Sequence, residues 1–249
     1  MPGFANPPPI NSPPIIQVKT HGSGVLIASG DYYPDLYALK ANLELGKDYT
    51  IVTENRGSVV TVAAPHGGNI EPGTSELARA IADKDFNLFD FVFLRSSHRR
   101  RGHVTATNFR DASLARMLAK SRICVAVHRM KDTHKKIYIG GRNQMLKRLA
   151  AEHLLAVGFC VEEDPPRLKG TSKRNFVNLT SEQGLQLEIP IPVANQLMPD
   201  IDSYAEASPV YKLKDERTEY FNAFVGAIRA TIEVYLEKTR TLEDRQNDL

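Results

Sequence analysis

The chain has 249 residues, enough for one sizeable core, and its 42% hydrophobic and 24% charged content is that of an ordinary globular protein. A net charge of +3 is too small to make nucleic acid the expected partner, and no apolar run reaches the length of a membrane span. The start, Met1-Pro2-Gly3-Phe4, shows neither a basic nor an apolar leader region, so a cytoplasmic location is the expectation.

Residues 1–20, with Pro2, Pro7, Pro8, Pro9, Pro13 and Pro14, read as a proline-rich flexible tail, 21–240 as a single folded domain and 241–249 as a polar C-terminal tail. Gly24–Ala28 is the first predicted strand. Asp35–Leu45 follows as a helix with Leu36, Leu39 and Leu43 on one face. Thr50–Thr53 and Val59–Ala64 flank the turn signal Asn55-Arg56-Gly57-Ser58 and read as a hairpin. Thr74 or Ser75 is placed to cap a helix over Glu76–Ala82. Phe89–Leu94 is a strand. Asp111–Lys120 is a helix, with Leu114, Met117 and Leu118 in register.

Ile123–Val127 reads as a buried central strand and Lys136–Ile139 as a short one. Asn143–Val157 has helical spacing and ends at Gly158. Phe159–Val161 returns as a strand, 167–178 is a basic loop, and Leu185–Ile189 is a strand stopped by Pro190 and Pro192. Arg217–Leu236 closes the domain as a long helix, with Tyr220, Phe221, Phe224, Ile228 and Ile232 inward. Continuous apolar strands alternating with helices define an α/β protein: a three-layer α/β/α sandwich with a mixed, largely parallel sheet. Cys124 and Cys160, both in apolar contexts, read as buried reduced thiols.

The residues able to do chemistry gather at strand ends. His66-Gly67-Gly68-Asn69-Ile70-Glu71 follows one apolar run, His128 ends another, and Glu188 ends a third. Open α/β sheets hold their sites at strand ends, and two imidazoles with a carboxylate suit a catalytic zinc that keeps a position open for water. Glu188 is then available as a general base, its pKa lifted by partial burial. Read alone, a histidine at a strand end is more often a hydrogen-bonded structural residue than a ligand.

The stretch His66-Gly67-Gly68-Asn69-Ile70-Glu71-Pro72-Gly73-Thr74-Ser75-Glu76-Leu77 resembles the signature of the poly-γ-glutamate hydrolase family, often labelled "phage-related replication protein". His103-Val104-Thr105-Ala106-Thr107-Asn108-Phe109, Ile139-Gly140-Gly141 and Gln186-Leu187-Glu188-Ile189 are similar to it in the same order, so the likeness spans about residues 25–236. The resemblance implies a zinc carboxypeptidase-like fold and hydrolysis of γ-glutamyl amide bonds, with Zn2+ on His66, Glu71 and His128 and Glu188 as the base. An anionic γ-glutamyl polymer or peptide then needs cations, since guanidinium binds carboxylate as a fork. Arg142 and Asn143, at a helix N-terminus, and Arg110 are the substrate-binding candidates, and His103 is one by its motif. Leu179 stands after Asn178 where relatives are expected to carry arginine, which leaves Arg174 to replace it.

Two other readings stand beside this one. A zinc amidohydrolase of small N-acyl amino acids would use the same ligands in a shorter pocket. A non-enzymatic nucleic-acid-binding replication accessory protein would use the basic run from Arg95 to Arg110, which has only Phe109 for stacking.

Overall fold

The computed structural model describes residues 31–247, so the strand expected at Gly24–Ala28 and the proline-rich segment lie outside it. The strands are β1 (Tyr49–Glu54), β2 (Val60–Gly68), β3 (Asn87–Phe93), β4 (Ile123–Met130), β5 (Lys136–Gly141), β6 (Cys160–Glu163) and β7 (Gly184–Pro190). They form one sheet in the order β1-β3-β2-β4-β7-β5-β6. The four central strands β3, β2, β4 and β7 run parallel; β1 joins one edge antiparallel, and β5 with β6 joins the other, antiparallel to β7. This is the mixed, largely parallel sheet expected from the sequence.

The helices are α1 (Leu36–Asn42), α2 (Thr74–Ala82), α3 (Ala112–Leu118), α4 (Gln144–Ala156), α5 (Ile191–Leu197), α6 (Ile201–Ala207) and α7 (Glu219–Asn247). Strand side chains alternate between faces, and here both faces are covered. Val60, Val62 and Ala64 of β2 join a core with α2, α4, α5 and α7, while Ala63, Cys124 and Ala126 point the other way, toward α1, α3 and Phe109.

The predicted hairpin is not formed. β3 lies between β1 and β2, pairing with both. The turn residues instead wrap the amide of Asn87, at the start of β3. Asn87 Oδ1 accepts from the Arg56 and Ser58 backbone N–H groups, and its Nδ2 donates to the Ser58 carbonyl. β2 is buried along its whole length and needs a neighbour on each side, whereas β1 is half-exposed and suits an edge.

The predicted cap of α2 is also replaced. Gly73 holds the N-cap in a left-handed conformation (φ +98°), without a side-chain cap. Thr74 Oγ1 donates instead to the Glu71 carbonyl, and Ser75 Oγ donates to Asp90 Oδ1 while accepting from Gly68 N–H. The hydroxyls thus brace the loop before the helix.

Cys160 is exposed because β6 is an edge strand, against the expectation of burial; Cys124 is buried. Tyr220 is half-exposed, while Phe221, Phe224, Ile228 and Ile232 form the inner stripe of α7. That helix runs to Asn247, past the predicted end at Leu236, because the following Glu, Lys, Arg and Leu residues favour helix. Prolines 190 and 192 stop β7 as expected but also open α5, where the first turn tolerates them.

Candidate active site

His66, His128 and Glu188 stand at the C-terminal ends of adjacent parallel strands. His128 and Glu188 are register partners on β4 and β7, so their Cα atoms are roughly 4.8 Å apart and their side chains share a face. His66 lies where the β2–β3 register shifts, between Ala64 and Gly67. Gly67 makes that shift possible: a Cβ there would fall 2.3 Å from both Asp90 Oδ1 and Ser75 Oγ. The chain then turns so that the Glu71 N–H donates to the His66 carbonyl at 2.9 Å, which brings Glu71 back over the imidazole.

His66 Nδ1 is 2.8 Å from Glu71 Oε1 and 3.2 Å from His128 Nδ1, and His128 Nδ1 is 3.7 Å from Glu71 Oε2. Nε2 of His66 donates to the Val104 carbonyl at 2.9 Å, which leaves Nδ1 as the inward nitrogen. The Arg129 N–H donates to Glu71 Oε2 at 2.8 Å, and the Arg129 guanidinium is forked onto Asp202. One potential donor atom from each of His66, Glu71 and His128 falls within 4.8 Å of the other two.

The electrostatics follow from burial and crowding. Burial opposes a charged His66, but the adjoining Glu71 carboxylate outweighs it and raises the imidazole above its ordinary pKa near 6.5. Burial likewise opposes the Glu71 charge, and the same imidazole reverses this, pulling the carboxyl down to about 2. Burial brings His128 down to about 3, so it is neutral. Glu188 is raised well above the usual carboxylate range by burial and by the nearby Glu71 charge.

Three inward donors gathered this closely could hold a cation. His128 Nε2 is buried without a hydrogen-bond partner, so the protein leaves one ring nitrogen of His128 unsatisfied. Two imidazoles and one carboxylate fit a catalytic zinc.

His103 is brought to this cluster: its ring lies 4.1 Å from the His66 ring, and its Nδ1 is 2.6 Å from Asp31 Oδ1. Asp31 also accepts from the Thr105 N–H at 2.9 Å, so it orients the whole His103 segment. Arg110 is exposed and lines a cleft of about 200 Å³ with Tyr37, Phe109, Phe176 and Leu179; the Phe109 ring is 6.3 Å from that of His66.

Arg142 and Asn143 are not gathered in. Both backbone N–H groups donate to the Gly184 carbonyl, at the start of β7 and four residues, roughly 13 Å, before Glu188. The Asn143 side chain caps α4 through Leu146 N–H and donates to the Glu182 carbonyl and the Tyr235 hydroxyl, which uses up its amide. Arg142 Nη1 donates to the Thr171 carbonyl. Arg174 donates to Asn108 Oδ1 at 3.2 Å. In the basic run, Arg95 pairs with Asp48, Arg99 with Glu206, and Arg101 donates to the Tyr33 hydroxyl.

Sequence reasoning missed two residues that set the site. One is Asp31. The other is Gln186, whose Nε2 donates to Glu188 Oε1 at 2.9 Å while its Oε1 accepts from Asn175 Nδ2 at 2.7 Å. The Asn175 bond decides which end of the Gln186 amide faces Glu188. The signal was present: Gln186 lies two residues before Glu188, on the same strand face.

By fold and site this is an α/β protein with a parallel-centred sheet that presents two imidazoles and two carboxylates at its strand ends. The chain belongs to the poly-gamma-glutamate hydrolase family, whose model matches residues 33–227. It is similar to a bacteriophage poly-gamma-glutamate hydrolase of known structure, at 29% identity and a TM-score of 0.76, over 83% of this chain and 99% of that one. It is also similar to the zinc-free apo form of YndL, at 26% identity and a TM-score of 0.73, over 82% and 98% of the two chains. The SPbeta prophage-derived UPF0714 protein YoqZ of Bacillus subtilis (strain 168) is 32% identical over 166 residues, 66% of this chain and 60% of that protein. YndL of the same organism is also 32% identical over 166 residues, 66% of this chain and 64% of its own length. The match thus spans less than two thirds of these two curated relatives.

Proposed function

We propose that this chain is a zinc-dependent hydrolase of γ-glutamyl amide bonds acting on poly-γ-glutamate. The convergence of His66, Glu71 and His128 beside Glu188 carries the reading. Family membership and the likeness to a poly-gamma-glutamate hydrolase support the substrate, and the zinc-free form of YndL supports the metal. Among the described residues no helix is long and apolar enough to cross a membrane.

His66, Glu71 and His128 would hold the zinc. When bound, the metal polarises the amide carbonyl and makes water a nucleophile near neutral pH. Glu188 takes a proton from the attacking water as the C–O bond forms. It gives that proton to the departing α-amino nitrogen as the C–N bond breaks. Burial and the Glu71 charge raise its proton affinity, which suits the first transfer, the uptake of a proton from water. Gln186 holds Oε1 of Glu188 by a hydrogen bond and so fixes which oxygen moves the proton. Gln186→Leu removes that bond and leaves the metal cluster untouched. A roughly tenfold fall in kcat is expected, with KM and zinc content unchanged, as steady-state kinetics and metal analysis will show.

The experiment for the whole reading is zinc titration of the metal-free protein together with product release from purified polymer. In the metal-free state His128 is neutral and Glu71 ionised near neutrality, so below its own raised pKa His66 carries the proton that zinc must displace. Zinc affinity therefore rises with pH until His66 loses its proton, and levels off above. The expected slope of log affinity against pH is about one below that point. Failure to bind zinc, or a polymer left intact by the zinc-loaded protein, overturns the reading.

A further inference from the structure

The row of register partners across the sheet does not end at Glu188. His128 pairs with Glu188, and Glu188 pairs with Tyr138 of β5, so Tyr138 lies on the same sheet face on the side away from the imidazoles. Tyr138 belongs to a polar cluster outside the metal centre. The Lys136 N–H donates to His134 Nδ1, so His134 Nε2 carries the hydrogen. That nitrogen faces the Tyr138 hydroxyl at 3.0 Å and Asp132 Oδ2 at 3.1 Å. The other oxygen of Asp132 takes Nη2 of Arg167.

The proton count of this cluster is informative. The Tyr138 hydroxyl accepts from His134, which leaves its own O–H to donate. Arg167 uses one terminal nitrogen on Asp132, and its Nη1 and Nε have no partner among the described residues. Asp132 thus fixes a guanidinium without using up its fork, and Arg167 remains half-exposed. Arg167 comes from the β6–β7 loop and Tyr138 from β5, so two separate segments bring unspent donors to the Glu188 side of the sheet. The Arg167 charge reaches Glu188 and draws its pKa down, against the burial that raises it.

We propose that Tyr138 and Arg167 form a carboxylate subsite beside Glu188, which receives the α-carboxylate of a γ-glutamyl unit next to the scissile bond. The proposal rests on the hydrolase reading above. A polymer with one free carboxylate per unit presents an anion at a fixed distance from each amide bond. A fixed guanidinium with a hydroxyl beside it binds such a group in a fork that neither lysine nor a fully solvated arginine supplies. The subsite selects a carboxylated chain over a neutral amide and sets the register of the chain against Glu188.

The test is steady-state hydrolysis of purified poly-γ-glutamate by the zinc-loaded protein. In Arg167→Gln, KM is expected to rise roughly tenfold with kcat within about twofold of wild type, and Arg167→Lys to recover part of the loss. Tyr138→Phe is expected to raise KM about threefold. Lys169→Gln removes an exposed cation from the same loop and is expected to leave KM unchanged, which separates a built site from general attraction. Zinc content stays at the wild-type value throughout. Wild-type KM in both Arg167→Gln and Tyr138→Phe, or an equal rise in Lys169→Gln, overturns the subsite while the hydrolase reading stands. A wild-type enzyme that leaves the polymer uncut removes the hydrolase reading itself.

Discussion

Glu188→Gln lowers kcat on poly-γ-glutamate by roughly three to four orders of magnitude, the upper range for loss of a general acid–base group. The substitution keeps size and shape. The new amide still meets Gln186, now across one N–H···O bond between two amides in place of the bond to the carboxylate. What disappears is the ability to take a proton and return it. His66, Glu71 and His128 are unchanged, so zinc content stays at the wild-type value and KM moves little. A buried neutral amide carries none of the desolvation cost that burial places on an ionised Glu188, so the variant is no less stable than wild type in thermal unfolding. Full activity with bound zinc would assign the proton transfer to another group. His103, whose ring centre lies 4.1 Å from that of His66, is the alternative the geometry offers.

The parts of this molecule readable in its sequence are those that local pattern encodes. The central strands β2, β4 and β7 are unbroken apolar runs, and the sites at their ends follow from where those runs stop. That His66, Glu71, His128 and Glu188 come together was legible for that reason, with a family signature to join residues far apart in the chain. The hairpin failed because turn chemistry at Asn55–Ser58 says that the chain reverses, and not whether a third strand enters the gap. Asn87, some thirty residues later, decides that by accepting the turn's N–H groups. Arg142 and Asn143 lie apart from the cluster for a similar reason. A helix N-terminus after two glycines resembles an anion site, but β5 runs antiparallel to β7, so its end lies at the wrong end of the sheet. Strand direction is a property of the assembled sheet, and no local pattern prints it. Asp31 and Gln186 act through other side chains and carry no motif of their own.

His66→Ala removes the group around which the centre is organised. Its Nδ1 faces Glu71 and His128, and its Nε2 ties the strand end to the Val104 carbonyl, so one substitution takes away an inward donor and a hydrogen bond to the His103 segment. Zinc stoichiometry is expected to fall from about one per chain to below about a tenth at micromolar metal, since two remaining protein ligands make a weak site. Hydrolysis falls by at least about a thousandfold, because the polarised carbonyl and the activated water are lost together. Stability provides the independent readout. In wild type, zinc at about a hundred times its dissociation constant adds about 2.7 kcal/mol to unfolding and raises Tm accordingly. In His66→Ala that zinc-dependent rise disappears, and the metal-free Tm also drops. Glu71 contributes to the second effect. With His66 present its folded pKa is depressed to about 2, so it stabilises the fold above its ordinary value near 4.5 and loses that contribution as pH falls through about 2. Without the imidazole, burial instead raises the Glu71 pKa and the stabilisation at neutral pH is lost. Calorimetry of both proteins, with and without zinc, separates the two effects. An unchanged zinc-dependent Tm in the variant would place the ion elsewhere.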